Sequence, residues 1–347
     1  MDKSYPLLLE RRLDDRIWGG RRLAPFLGLP EPHPERIAES WQVYDENKVL
    51  NGPMAGRMLG ELCREQGERL LGTLSLPRYG VDLPLLAKFI DAQQDLSIQV
   101  HPDDAYAHRV EATSGYHGKS EAWVVLDAAP RTELFYHLKR PVSRAAFRQA
   151  VEGGGLLELL NRRPVQAGDV IHVPAGTLHT ISAGVLLFEI QQKSDLTYRV
   201  YDHGRGRPLH LEKALDVIAF DRPPPARVVP LPLCQTGERM LLIATPHFAV
   251  ERLEVDEPVE LETRRTSLEI HTLIDGRGEL NWEGGAAALR RGTSVVLPAG
   301  LGAYRLAPEP SLTLLRCWVP DLEGEVVPLL RGRGFNRSQI GGVVRGA

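Results

Sequence analysis

The chain has 347 residues, 25% of them charged, and a formal net charge of −3. That length allows one large or two medium domains with an ample core, and the balanced charge gives no electrostatic case for nucleic acid or an anionic membrane as a partner. Three scattered cysteines, Cys63, Cys234 and Cys317, supply neither a disulfide framework nor a C-x-x-C zinc site, which fits a reducing cytoplasm. No run approaches the roughly 18 apolar residues of a membrane span, and the apolar stretch at Tyr5–Leu9 is too short for a signal peptide. With 33 glycines, 26 prolines and only 6% aromatic residues, many turns between short strands are expected, and the fold class is mainly β with a few short helices.

Residues 1–57 read as short strands and loops, marked by Trp18-Gly19-Gly20 and by a strand at Ser40–Tyr44, in which Trp41 is read as a packing residue. Met58 to Gly72 spaces Leu59, Leu62, Leu70 and Leu71 in a helical pattern, with Gly72 as the stop. Leu83–Asp91 is a near-continuous apolar run and reads as a buried strand. Lys88 inside it must either snorkel to an edge or point into a polar pocket.

The stretch Leu96–Asp104 (LSIQVHPDD) alternates as a strand, so Gln99 and His101 share one face and Ile98 and Val100 the other. Pro102 ends regular pairing just after His101. An amide oxygen and an imidazole two residues apart on one face can chelate a metal. In the next strand, Lys119–Asp127, Glu121 shares a face with Trp123 and Val125. A carboxylate in so apolar a setting needs a cation or must neutralise itself.

Pro141 to Arg163 interrupts the β pattern with a helix N-capped by Ser143, a break at Gly153–Gly155 and a second short helix. A compact β unit follows, AGDVIHVPAGTLH, ending at His179, and then a strand at Val185–Gln192. His210–Phe220 is a short amphipathic helix, and Arg222–Ala226, with three prolines, is the linker candidate. The expected division is a first domain over 1–221, a second over 222–330 and a loosely held Gly/Arg-rich tail over 331–347.

The second half repeats the turn grammar of the first. RGTSVVLPAG at 291–300 parallels AGDVIHVPAG at 167–176, but three residues past the glycine the first copy has His179 and the second Ala303. Such grammar is similar to that of cupins, small jelly-roll barrels, and two copies would make a bicupin whose second barrel holds no metal. The candidate ligands are therefore Gln99, His101, Glu121 and His179, an N/O set suited to Zn²⁺ or another divalent first-row metal, one ion per chain. His117 and His172 are read as ordinary polar residues.

The segments LPLLAKFIDAQQDLSIQVHPDD, GKSEAWVVLDA, GDVIHVPAGTLHTI and FEIQQKSDLTYRVYD resemble the type I mannose-6-phosphate isomerases, in their shorter bacterial form. That resemblance implies zinc on Gln99, His101, Glu121 and His179, an active-site lysine at Lys119, and a functional Ser-Asp…Arg segment at Ser194, Asp195 and Arg199. It implies interconversion of mannose 6-phosphate and fructose 6-phosphate, with a small-molecule sugar phosphate as the partner; the sequence leaves the oligomeric state open. Gly118 stands where longer members carry a histidine, so His117 is the substitute to test. The alternatives are a non-catalytic sugar- or metal-binding cupin, a metal-dependent oxygenase, or an isomerase of a related sugar phosphate.

Overall fold

The computed structural model describes residues 4–222 and 227–346. Its first barrel is built on a six-stranded antiparallel sheet in the order Arg12–Asp14, Glu39–Val43, Leu85–Asp91, Val185–Gln192, Glu121–Ala128, Val170–Val173. Facing it are two small sheets, Ile98–Val100 with Tyr198–Tyr201 and Glu133–Leu138 with Leu160–Pro164. His179 joins these two, because its backbone bridges both Gln99 and Tyr136. Between the layers pack Ile90, Trp123, Tyr136, Ile171 and Leu187.

The large sheet is apolar on both faces, which explains why its strands read as continuous apolar runs. Its outer face, with Ala87, Phe89, Ala122, Val124 and Phe188, shares one core with Val250, Ile270, Val296 and Leu315 of the second barrel. The alternation expected for residues 121–126 therefore holds: odd positions enter the first barrel and even positions seal it to the second. All seven residues of Leu85–Asp91 are buried, as expected for that run. The helical pattern of 58–72 is divided at Gly67 into Leu59–Gln66 and Glu68–Leu71, the second of which stops at Gly72, and Ser143 caps Arg144–Glu152 by accepting from Ala146 N–H.

The second barrel is a nine-stranded antiparallel sheet dominated by Glu269–Trp282 and Ala303–Trp318. Two features depart from the expected division of the chain. Leu7–Leu8 leaves the N-terminal region and pairs with Val295–Val296 of the second barrel. The tail is also not loose. Helix Arg337–Val343 begins in a capping box between Asn336 and Gln339, and Ile340, Val343 and Val344 bury themselves beside Leu241, Ala244 and Trp318. Composition concealed this because the few apolar residues of the tail fall on one helical face. The expected linker, Arg222–Ala226, lies outside the described residues apart from Arg222.

Strand register reveals which residues of the two barrels correspond. Glu121 lies opposite Val173, just before the first Pro-Ala-Gly turn, and Glu269 lies opposite Leu297, just before the second. Glu189 pairs with Lys88 on one side and Trp123 on the other; in the same way, Arg316 pairs with Glu251 and His271. Glu269 is therefore the counterpart of Glu121, and the Lys88–Glu189 pair reappears with reversed charge as Glu251–Arg316. After the turns the copies diverge: the left-handed glycine is Gly176 in the first but Gly302 in the second, two positions further along than Gly300.

In the second barrel the arginine neutralises the buried carboxylate. Arg316 donates from Nε and Nη2 to Glu269 at 2.7 Å each, Arg264 adds a third contact at 3.0 Å, and His271 Nε2 donates at 3.1 Å. Burial alone would raise the Glu269 pKa, but Arg316 and His271 outweigh it and hold the carboxyl well below the usual range. Replacing Arg316 by methionine should leave the buried Glu269 without its bidentate partner, with Arg264 at 3.0 Å as its remaining arginine, and cost ~3–5 kcal/mol. Urea unfolding would read this as a lower midpoint, and an unchanged midpoint would refute the role given to Arg316.

Candidate active site

The first barrel brings three of the four expected ligands into contact inside the fold. Glu121 enters from the start of its strand, His101 from just past Ile98–Val100, and His179 from the segment that bridges the facing sheets. Their ligand atoms lie within 4.8 Å of one another, with His179 Nε2 at 3.2 Å from Glu121 Oε1 and His101 Nε2 at 3.5 Å from Glu121 Oε2. Glu121 is 1% exposed and His179 0%. Gln99 reaches the same point, its amide nitrogen 3.4 Å from His179 Nε2. A half-turn of that amide presents its oxygen instead.

Backbone carbonyls set the two imidazoles. His101 Nδ1 donates to Leu196 O at 2.8 Å, and His179 Nδ1 donates to Thr177 O at 2.9 Å. Each ring is thereby fixed as the tautomer whose Nε2 lone pair faces Glu121. Burial, with the nearby Lys119 charge, pushes the His101 pKa far down. Burial brings His179 to about 4. Both rings are neutral near pH 7, the form in which they coordinate metals.

The donor set fits a divalent ion. Glu121 Oε2 is buried and accepts no hydrogen bond, although the Lys119 ammonium lies 2.7 Å away. That same ammonium is 3.0 Å from His101 Nε2, so the bay already favours a cation. Two imidazoles, a carboxylate and an amide oxygen suit zinc and its first-row neighbours.

The bay opens into a cavity of about 340 Å³ lined by Gln99, Lys119, Asp195 and Arg199, together with residues the sequence reading had not assigned to a site. Lys88 resolves its open alternative by turning into this cavity, where it pairs with Glu39 and Glu189 at 3.1 Å each. Although burial opposes it, Glu189 and Glu39 keep the Lys88 ammonium protonated. Glu189, pushed upward by burial and by repulsion from Glu121, accepts from Trp123 Nε1 at 2.8 Å. Its position was legible in principle, since an acidic residue in the apolar run Val185–Gln192 poses the same problem as Glu121. Trp41 packs against Tyr44 but also lines the cavity.

The Ser194–Arg199 segment divides its tasks. Ser194 is buried and braces the loop by donating to His117 O at 2.9 Å. Asp195 is exposed at the cavity wall and makes no ion pair with Arg199 among the described residues. Arg199 sits on the strand paired with Gln99, and its backbone is gripped by His210 through two hydrogen bonds, of 2.7 and 3.2 Å. His117 does not join the ligands; its Nδ1 lies 2.9 Å from His108 Nε2, in a separate cluster with Asp104. Gly118 cannot be a histidine here, because a Cβ would lie 2.5 Å from the backbone of Asp103 and Asp104. His172 faces a different cavity, near Ser120 Oγ at 3.5 Å.

Comparison with known proteins agrees with this arrangement. The sequence model of the phosphomannose isomerase type I catalytic domain matches residues 7–122, and that of the mannose-6-phosphate isomerase cupin domain matches residues 238–314. A mannose-6-phosphate isomerase from Streptococcus mutans is 36% identical over 313 residues, covering 87% of this chain and 95% of the relative. A probable mannose-6-phosphate isomerase from Bacillus subtilis is 32% identical over 315 residues, covering 87% and 96%. The crystal structure of the mannose 6-phosphate isomerase from Bacillus subtilis superposes with a TM-score of 0.79 at 29% identity, over 91% of this chain and 99% of that one. Both barrels, the order of the motifs and the coverage lead to one conclusion: the chain belongs to the type I mannose-6-phosphate isomerase family.

Proposed function

We propose that this chain interconverts mannose 6-phosphate and fructose 6-phosphate, with zinc as its metal. The observation that carries this reading is the convergence of Gln99, His101, Glu121 and His179 at the base of a cavity lined with cationic side chains. Gln99, His101, Glu121 and His179 would hold one divalent ion, and the chemistry such an ion supplies is polarisation of the sugar carbonyl oxygen. A related isomerase solved with zinc and yttrium bound shares the fold, with a TM-score of 0.69 at 16% identity.

Aldose–ketose exchange moves one proton between C1 and C2 of the sugar and one between their oxygens, through an enediol, with no net change in atoms or electrons. Lys119 holds a charge beside Glu121 and His101, where it can donate to a substrate oxygen as negative charge develops. Asp195, a carboxylate at the wall, is the candidate proton carrier. Arg199 offers a guanidinium fork that can orient the sugar phosphate. Among the described residues no helix is long and apolar enough to cross a membrane, and the three cysteines are free; both accord with a small-molecule enzyme of the cytoplasm.

Replacing His179 by alanine should abolish isomerisation and sharply lower bound metal, while circular dichroism shows the fold retained. Full metal content in the folded variant would overturn the ligand set. Elemental analysis of the native protein should give about one ion per chain, since Arg316 already neutralises the second barrel's carboxylate; two tightly held ions would contradict that. Free mannose should be a poor substrate, because binding energy from the remote phosphate helps position the reacting carbons. Arg199→Ala should lower kcat if the guanidinium acts on the transition state and raise KM if it only anchors the phosphate. Equal efficiency on free mannose would reject the sugar-phosphate reading.

A further inference from the structure

The cavity has more positive side chains than the metal bay can use, and they are not equivalent. Lys88 is held between Glu39 and Glu189, and Lys119 lies against Glu121. The arginines are less fully matched. Arg12 and Arg16 share one carboxylate, Asp14, at 3.9 and 3.0 Å. Arg199 makes no ion pair among the described residues, and its Nε is buried without a hydrogen-bond partner.

Arg199 also lies close to two other guanidiniums. Arg16, Arg199 and Arg207 all line this cavity, and burial together with the Arg207 and Arg16 charges holds the Arg199 pKa below its usual value. Like charges facing one cavity repel, so such a cluster persists only where the fold holds it rigidly.

Arg207 is held by Asp202, which is 5% exposed and accepts from Arg207 Nε at 2.9 Å and from its Nη2. This fixes the plane of the fork and leaves its remaining N–H groups for another acceptor. Arg16 is held through its backbone. Its carbonyl accepts from Gly19 N–H at 2.8 Å, and the Trp18 carbonyl accepts from Gln93 N–H at 2.9 Å. Gly19 can bring this turn against the sheet only because it lacks a side chain: a Cβ would lie 2.7 Å from Ala38 N. The Trp18-Gly19-Gly20 motif therefore also fixes the backbone of the turn from which Arg16 reaches the cavity.

We propose that Arg16, Arg199 and Arg207 form a three-guanidinium cradle for the phosphate group of the substrate, with Lys119 and Lys88 left to the sugar end. The inference rests on the sugar-phosphate reading above and adds two arginines to it. A phosphate dianion supplies the acceptor that Arg199 lacks, takes up N–H groups that Asp14 and Asp202 leave unused on Arg16 and Arg207, and relieves the mutual repulsion of the three. It also explains the absence of a glycine-rich phosphate loop, since side chains replace the backbone amides that such a loop would offer.

The test uses the full-length, metal-loaded protein. Inorganic phosphate binding is followed by calorimetry, and steady-state kinetics are measured on mannose 6-phosphate and on mannose. In Arg16→Gln, phosphate binding should weaken by roughly tenfold, the value of one charge-assisted hydrogen bond at the low end of its range. The kcat/KM for mannose 6-phosphate should fall by a similar factor, and by more than the efficiency on free mannose does. Arg16→Lys should restore part of the loss, which a purely structural role would not predict. Arg207→Lys, which keeps a charge beside Asp202 but loses the fork, should behave like Arg16→Gln and guards against misfolding of the more drastic change. Unchanged phosphate affinity in both Arg16→Gln and Arg207→Lys overturns the cradle. A wild-type protein that binds phosphate through these arginines but does not isomerise mannose 6-phosphate would overturn the catalytic reading and leave the cradle standing.

Discussion

A buried carboxylate must be neutralised, and each barrel is built around one. Glu121 and Glu269 sit at matching positions, one strand away from matching Pro-Ala-Gly turns. Leaving either charge alone in a closed interior costs several kcal/mol. The second barrel solves the problem internally, with a bidentate arginine. The first solves it with an exchangeable cation bay, in which the lysine ammonium and two neutral imidazoles border a carboxylate oxygen that accepts no hydrogen bond. The same geometric solution thus gives a structural cross-link in one copy and a chemically open site in the other.

The reversed pair extends this contrast. Lys88–Glu189 in the first barrel and Glu251–Arg316 in the second occupy corresponding places with opposite signs. In the first, the strand beside Glu121 supplies a second carboxylate, Glu189, which repels Glu121, and the two are answered by separate cations, Lys88 and Lys119. In the second, the strand supplies the guanidinium itself, and Arg316 lies directly on Glu269. An exchange of sign across a strand pair thus goes with a carboxylate closed by an arginine in one barrel and one that borders an open cavity in the other.

Much of the site was legible in the sequence because its chemistry conflicts with its surroundings. Gln99 and His101 alternate with apolar neighbours, Glu121 lies in an apolar strand, and His179 follows a turn that the second copy repeats without it. What sequence alone did not reveal depends on long-range pairing. The match of Glu121 to Glu269 follows from register across strands far apart in the chain, not from local similarity. Arg16 and Arg207 lie 191 residues apart and meet only because the Trp18-Gly19-Gly20 turn and the loop after Tyr201 converge on one cavity. The C-terminal helix was missed for a different reason: its three apolar contacts are diluted by glycine and arginine, and only their placement on one face makes them a docking surface.

The short strand Leu7–Leu8 crosses from the beginning of the chain to the edge of the second barrel, and the last helix docks on that same barrel. Both the first strand and the last helix are thus fastened to the second barrel, while most of the first barrel lies between them in sequence. The two barrels are laced together in the manner of a buckle, with one end of the strap returned through the frame. A cut in the proline-rich connection would not release two independent modules, since the first fragment would still carry an edge strand of the second fragment's sheet. Removing the second barrel would therefore strip Leu7–Leu8 of its strand partners Val295 and Val296 and expose the outer face of the first barrel's large sheet, which shares a core with it.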